Sequence, residues 1–219
     1  MNGLLTEGGT SKFSGGELQV AHDVSNSFGL MINGFAASHS AQVSSWDIVG
    51  PIETRTEKGS GSYVEFARGY FKTLDKSKKL VFETYGGLGF GGVNNDYGPA
   101  GHPKVNDTKL FVQPSFGYKS IHFELAFVPK LSFVSWKVKD SSVHASDHYV
   151  SGRLGAIRNQ SHFMAIEPAF ILRAGGRKVK FQTALSFLHP LSNTSSIIGD
   201  MTEDLNISFG LSINLTKAK

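Results

Sequence analysis

The sequence of 219 residues contains no cysteine, so it offers neither a disulfide bond nor a thiol for lipid attachment. It also has no stretch approaching the roughly 18 consecutive apolar residues that a membrane-spanning helix needs, and its mean hydropathy is only -0.13. The formal net charge is a modest +4, and the basic residues are scattered or lie in turns such as Lys76 to Lys79. These absences exclude helical membrane insertion and argue against a nucleic-acid partner.

Glycine and phenylalanine are abundant instead, with 25 and 17 residues. This composition favours β structure with many turns, in either a membrane barrel or a soluble sandwich. No linker, repeat or low-complexity segment divides the chain, so we predict a single domain over residues 1–219. Residues 1–10 lack the charged region and apolar core of a signal peptide. If the protein is exported, we therefore expect the sequence to be a mature or truncated form.

Apolar and polar residues alternate along most of the chain, most clearly over Asp204 to Leu215. One face of that segment carries Leu205, Ile207, Phe209, Leu211, Ile213 and Leu215. Period-2 alternation over this length suits a tilted membrane crossing of roughly 9 to 11 residues. The pattern predicts nine strands, with Leu4 to Gly9 as a doubtful tenth. Ten strands would close a barrel, because single-chain bacterial barrels normally have an even number.

The connections between these strands alternate in length. Short links are predicted at Val24 to Ser27, Leu74 to Lys79, Lys119 to Ser120 and Gly175 to Arg177. Long polar loops are predicted at Ser38 to Gly59, Gly91 to Asp107, Lys139 to Ser161 and Pro190 to Glu203. Such asymmetry is typical of an up-and-down barrel in an outer membrane, with tight periplasmic turns and longer extracellular loops.

Glycines indicate which face of the sheet is inside. A water-facing strand position has no steric need for glycine, whereas a narrow lumen that holds side chains from every wall benefits from small residues. The polar face carries Gly69, Gly87, Gly89, Gly117 and Gly210. We therefore predict a polar, filled lumen, with the large apolar side chains facing lipid.

Charged residues on the same face then form a candidate lumen network, in which buried charges must be paired. Its predicted members are Glu65, Glu83, Gln113, Glu124, Lys130, Glu167, Arg173 and Lys180. We expect it to stabilise the barrel rather than to act in acid and base catalysis. The alternative is that these residues are the ordinary water-facing side chains of a soluble sheet.

Prolines and aromatic residues give two finer expectations. Pro114, Pro129 and Pro168 each remove a ladder donor, so local bulges are expected there. Several aromatic residues near strand ends are candidates for interfacial girdles, with core or surface packing as the alternative. They are Tyr63, Tyr70, Phe71, Tyr118, Trp136 and Phe163.

An ordered set of segments resembles small outer-membrane β-barrel proteins of Bacteroidetes. The segments are GLMINGF (29–35), FETYGGLGFG (82–91), LFVQPSFGY (110–118), MAIEPAFILR (164–173) and VKFQTALSF (179–187). The resemblance covers nearly the whole chain and implies a barrel of about ten strands in a Gram-negative outer membrane. These are strand and turn patterns, so the resemblance implies fold and location rather than an activity.

The sequence thus predicts an all-β, single antiparallel transmembrane barrel without enzymatic activity or cofactor. Membrane lipid is its expected partner, an extracellular partner of the long loops is possible, and no oligomeric state is predicted. A barrel of about ten strands is too narrow for general porin activity. Two alternatives stay open: a soluble lipocalin-like barrel binding an apolar ligand, and an outer-membrane surface hydrolase. His144, Asp147 and His148 are weak candidates for a zinc site, because nothing rigid positions them.

Overall fold

A computed structural model describes residues 11–45, 53–98, 101–140, 148–191 and 204–213. Within them the chain forms nine strands in one antiparallel up-and-down sheet, ordered β1 to β9, and the sheet curls into a half-barrel. The elements are β1 (Ser11–Asp23), β2 (Phe28–Ser45), β3 (Glu53–Thr73), β4 (Leu80–Asp96), β5 (Lys104–Lys119), β6 (Phe123–Asp140), α1 (His148–Asn159), β7 (His162–Gly175), β8 (Val179–Pro190) and β9 (Asp204–Ile213). The all-β prediction is confirmed. The doubtful strand Leu4 to Gly9 lies outside the described residues.

Short and long connections lie at opposite ends of the sheet, as the sequence predicts. Residues 24–27, 74–79, 120–122 and 176–178 join strands at one end, which we call the short-turn end. The opposite, long-loop end carries longer connections, but the strands run further into them than expected. β2 continues to Ser45 and β3 begins at Glu53, because Ser and Gly positions such as Ser40 and Gly59 pair through their backbones without any apolar alternation.

The prolines interrupt the ladder without shifting it. Pairing lapses between β5 and β6 around Pro114 and Pro129, yet the register is the same on both sides of the lapse. A second lapse lies between β7 and β8 at Glu167 and Pro168, again without a shift. The expected bulges are therefore wrong. The one register shift between β5 and β6 lies at Lys104 and Val105, and each proline removes a donor without requiring an extra residue.

The helix α1 lies at the long-loop end, over the concave side of the sheet. Its Leu154 is buried against Tyr97 and Val138, and Ile157 is also buried. No helix among the described residues is long and apolar enough to cross a membrane.

Candidate functional site: the inner charged network

The two faces of the sheet have opposite character. The inner face carries Glu65, Lys109, Lys130 and Glu167, and the outer face carries the apolar residues that alternate with them. Side chains from β3 and β6 touch on the inner face although β4 and β5 lie between these strands. Such a contact requires that face to be concave. The curl therefore encloses the charged side chains and leaves the apolar side chains outside.

The central part of the network combines two carboxylates and two ammonium groups. Glu65 is only 2% exposed, contacts Lys130 Nζ, and lies 4.0 Å from Lys109 Nζ. Lys109 Nζ donates to both carboxylate oxygens of Glu167, at 3.0 and 3.2 Å, and Ser132 Oγ donates to Glu167 Oε1 at 2.5 Å. The four charges balance, so every carboxylate in this central cluster has a cationic partner.

Aromatic rings complete the surroundings of the two lysines. Lys109 Nζ lies 5.0 Å from the centroid of the Tyr63 ring. Lys130 Nζ lies 4.3 Å from the centroid of the Phe111 ring. Both distances are within the range of cation–π attraction, so each ammonium group is held by a carboxylate and a ring together.

A second cluster lies nearer the short-turn end. Glu124 accepts hydrogen bonds from Arg173 Nη1 at 3.1 Å and from Lys180 Nζ at 2.6 Å. Arg173 Nε also donates to Gln182 Oε1 at 2.6 Å, and Lys180 Nζ donates to the Ser120 carbonyl at 3.0 Å. Arg173 and Lys180 thereby link β6, β7 and β8 next to the turn that precedes β6.

The structure thus divides the predicted network into parts. Glu65, Lys130 and Glu167 meet in the central cluster, and Glu124, Arg173 and Lys180 form the second cluster. Glu83 instead pairs with Lys119 at 2.6 Å, with both side chains partly exposed. Gln113 shares the inner face but makes no hydrogen bond to the described members of either cluster.

Sequence reasoning missed several partners, chiefly Lys109, Lys119, Ser132 and Gln182. Alternation places Lys109 on the polar face, but its contact with Glu167 on β7 depends on the curl of the sheet, which alternation does not report. The candidate metal ligands are not tested: His144 and Asp147 lie outside the described residues, and only the backbone of His148 is described. Among the described residues, no group of three His, Asp or Glu side chains is placed to hold a metal ion.

The inner face is not uniformly polar. Met31, Ala67, Tyr85 and Phe111 form one buried apolar cluster, and Val134, Phe163 and Ala165 form another, packed against Trp136 and Leu188. Trp136 and Phe163 meet edge to face with centroids 4.9 Å apart. Of the six girdle candidates, Tyr63, Phe71, Trp136 and Phe163 therefore belong to the inner face, and only Tyr70 and Tyr118 face outward.

Large side chains of one strand lie over glycines of the next, as the crowding argument predicts. A Cβ atom on Gly69 would lie 2.3 Å from the Tyr85 ring, and one on Gly89 would lie 1.8 Å from the Tyr63 hydroxyl oxygen. A Cβ atom on Gly87 would lie 2.3 Å from a backbone oxygen. Gly210 differs, because nothing lies within 4 Å of its added Cβ atom.

The outer face carries a continuous apolar band. Phe209 is 70% exposed and Leu18 is 71% exposed on the two edge strands, and the strands between them carry exposed apolar residues that range from 37% at Leu131 to 57% at Leu110. The band starts at Leu80, Tyr118 and Val179 near the short turns. It ends near Val64 and Phe90, which pair with each other, and near Leu110, Phe133 and Met164, which pair in turn; Phe90 itself lies opposite Thr108, two residues beyond Leu110. Arg68 and Lys72 are the charged residues among the described side chains of this band. Lys72 lies opposite Phe82 near the short-turn end, and the guanidinium carbon of Arg68 lies 5.5 Å from the Phe28 ring centroid.

No family model, no curated protein and no solved structure matches the chain. A proposal about its function therefore rests on the two faces of the sheet described above.

Proposed function

We propose that this protein is an outer-membrane β-barrel protein without enzymatic activity, whose apolar band contacts lipid and whose inner face is filled by the charged network. It serves a structural or surface-binding role. The observation that carries the proposal is the reversed distribution of polarity: a charged carboxylate, Glu65, is 2% exposed, whereas large apolar side chains on the opposite face are exposed, by 37% at Leu131 and by 71% at Leu18. Water would disfavour a face of this size, while hydrocarbon favours it.

The height of the band agrees with a bilayer. From Leu80 to Phe90 the band on β4 is roughly 33 Å long at about 3.3 Å per residue. At a strand tilt of about 40° this gives a height of about 25 Å, which is the apolar height of outer-membrane barrels. Beyond Phe90 the same face of β4 continues with Gly92, Asn94 and Asp96, so the change to polar residues comes where the hydrocarbon would end.

The inner network supports a structural role. Its lysines and carboxylates pair across strands that are not neighbours, which holds the curl of the sheet, and the Tyr63 and Phe111 rings lie beside the lysine ammonium groups. A soluble lipocalin-like barrel would instead need an apolar interior for its ligand. The Bacteroidetes resemblance stays a prediction.

Because the chain has no cysteine, single-cysteine variants provide a direct test. The full chain is folded into phosphatidylcholine vesicles, and Leu110→Cys and Phe170→Cys on the band are compared with Ser38→Cys and Asn106→Cys above it. We expect a membrane-impermeant maleimide to label the second pair quickly and the first pair only after detergent is added. A heat-dependent change in gel mobility should accompany folding.

Equal labelling of all four variants in intact vesicles, or a folded protein that stays in the aqueous phase, would contradict the proposal. In that case the soluble ligand-binding barrel takes its place, and binding of a fluorescent fatty acid in the absence of lipid would support it.

A further inference from the structure

A strip of small and polar residues lies on the outer face of β1 to β4, above the apolar band at the long-loop end. It forms a shallow groove of about 440 Å³, and its lining includes Ser14, Ala36, Ser38, Ser60, Ser62 and Asn94. Ser14 and Ser38 join their hydroxyl groups at 3.0 Å. These side chains offer hydroxyl and amide groups and little bulk, which suits the hydroxyl-rich surface of a saccharide.

Three lysines stand beyond this strip on the same outer face. Lys12, Lys58 and Lys104, which we call the upper lysines, line one adjoining groove of about 970 Å³. Lys12 and Lys58 both pair with Ser40, on its two sides, which places them about 10 Å apart across two strand spacings. Lysine stems of this length let their ammonium groups converge on one anion.

The upper lysines are not neutralised within the described residues. No salt bridge joins any of them to a described carboxylate. Asp96 is the one carboxylate that lines their groove. It lies opposite Lys58 in the ladder, and its carboxylate accepts from the amide of Gly98 at 2.8 Å and contacts Nδ1 of His102 at 3.1 Å. Three lysines against one carboxylate leave the groove with an excess of positive charge.

The distance of the upper lysines from the band identifies the kind of anion. From Val64 to Lys58 the outer face of β3 extends about 20 Å along the strand, or about 15 Å in height at the usual tilt. The headgroup region of an ordinary phospholipid leaflet adds only about 5 to 8 Å to the hydrocarbon. The upper lysines thus stand above glycerophospholipid phosphates and at the level of a taller headgroup.

We infer that the groove and the upper lysines bind the phosphorylated saccharide headgroup of an outer-leaflet glycolipid. The acyl chains lie against the apolar band, the sugar rings lie on the strip of Ser, Ala, Gly and Asn residues, and the lysines contact phosphate groups on the saccharide. This inference rests on the proposed function, because it requires the band to lie in the membrane.

The test compares two triple variants with equal changes in charge. Lys12→Gln/Lys58→Gln/Lys104→Gln removes the upper lysines, and Lys76→Gln/Lys79→Gln/Lys178→Gln removes three exposed lysines in the turns at the short-turn end. Each full-length protein is placed in phosphatidylcholine nanodiscs that contain a phosphorylated rough-type lipopolysaccharide. Native mass spectrometry then measures the lipid that stays bound. Dephosphorylated lipopolysaccharide, phosphatidylglycerol and inorganic phosphate serve as competing probes.

We expect at least about tenfold weaker retention of the phosphorylated glycolipid by the first variant, given roughly 1 kcal/mol per basic residue near an anionic membrane surface, and no change in the second. Equal retention by both variants, or equal binding of the dephosphorylated glycolipid, would overturn the inference. Preference for phosphatidylglycerol would indicate a general anionic surface, and equal competition by inorganic phosphate would indicate a free-anion site; either result overturns it too. Membrane insertion is measured on the same samples by the heat-dependent change in gel mobility. A protein that inserts but does not select the glycolipid contradicts this inference alone. A protein that fails to insert contradicts the proposed function.

Discussion

The ammonium nitrogen of Lys130 contacts a carboxylate oxygen of Glu65 across two intervening strands. This contact joins the first and second halves of the sheet on its concave side. Each of the two residues also has a second partner of opposite charge. Glu65 has Lys109 as a second cation at 4.0 Å, and Lys130 has Glu167, which lies opposite it on β7, as a second carboxylate.

Glu65→Gln and Lys130→Met are therefore each expected to destabilise the folded protein. Each change leaves one unbalanced charge in the buried central cluster, a positive one in the first variant and a negative one in the second, and breaking a buried pair in this way costs about 3 kcal/mol. Urea unfolding in vesicles, followed by tryptophan fluorescence, measures both free energies. The double variant should lose less than the two single losses combined, and strict additivity would mean that the contact contributes nothing.

Gly69→Ala is expected to destabilise the protein by about 1 to 3 kcal/mol, the usual cost of overpacking. The added methyl group would meet the Tyr85 ring at 2.3 Å. Gly210→Ala serves as the matched control, because its methyl group meets nothing within 4 Å and should be neutral or slightly stabilising in the same unfolding measurement. Similar losses at the two positions would show that strand propensity, rather than the ring, decides the effect.

Val112→Lys tests whether the apolar band contacts lipid, because it places a charge on the band. Val112 lies on the outer face of β5, close to the middle of the band, and a lysine at the bilayer midplane costs about 2 to 4 kcal/mol in a transmembrane barrel. Asn106→Lys lies on the same strand and face but above the band, opposite Gly92, so it should cost less than about 1 kcal/mol. The two free energies of unfolding are compared in vesicles, and no difference between them would argue that the band meets water.

Asp75 in the β3–β4 turn gives a prediction about pH. Its carboxylate accepts hydrogen bonds from the Ser77 hydroxyl and from the Leu80 amide, and the Ser77 hydroxyl lowers the pKa of Asp75 the most, followed by the Leu80 amide. Since the pKa is lowered in the folded state, the turn contributes stability above the unfolded pKa of about 3.9, and this is lost as pH falls through the folded value.

The Asp75 titration can be followed by carbonyl chemical shifts in micelles. We expect a pKa below that of an unfolded peptide, and we expect Ser77→Ala to move it back upward. An unchanged pKa in Ser77→Ala would contradict the role of the hydroxyl group.

Alternation carries most of what the sequence predicts correctly. Ile207, Phe209, Leu211 and Ile213 share one face in the strand that contains them, and all four are exposed on the outside. Glycine relieves crowding on the inner face where a neighbouring strand supplies a large ring, as at Gly69. Gly210 is not crowded, because no described side chain lies over that position.

The finer details depend on register and curl, which a single sequence does not report. Trp136 and Phe163 look like girdle residues until the register places them on the inner face, where they pack together. Lys109 forms its salt bridge with Glu167 only because the curl of the sheet brings side chains of β5 and β7 together on the concave side. The expected bulges fail because the loss of a donor at Pro129 is absorbed by a lapse in pairing rather than by an extra residue.

The proline row has a mechanical consequence. Pro114, Pro129 and Pro168 lie side by side on three adjacent strands, near the middle of the band, where cross-strand bonds lapse on either side of the pair formed by Pro129 and Pro168. Hydrocarbon cannot replace a missing partner for a backbone amide, and a proline has no such amide to leave unsatisfied. With the band in a bilayer, as we propose, the sheet would bend most easily along this row of prolines, and a change in bilayer thickness would be taken up there rather than by breaking the intact ladders above and below it.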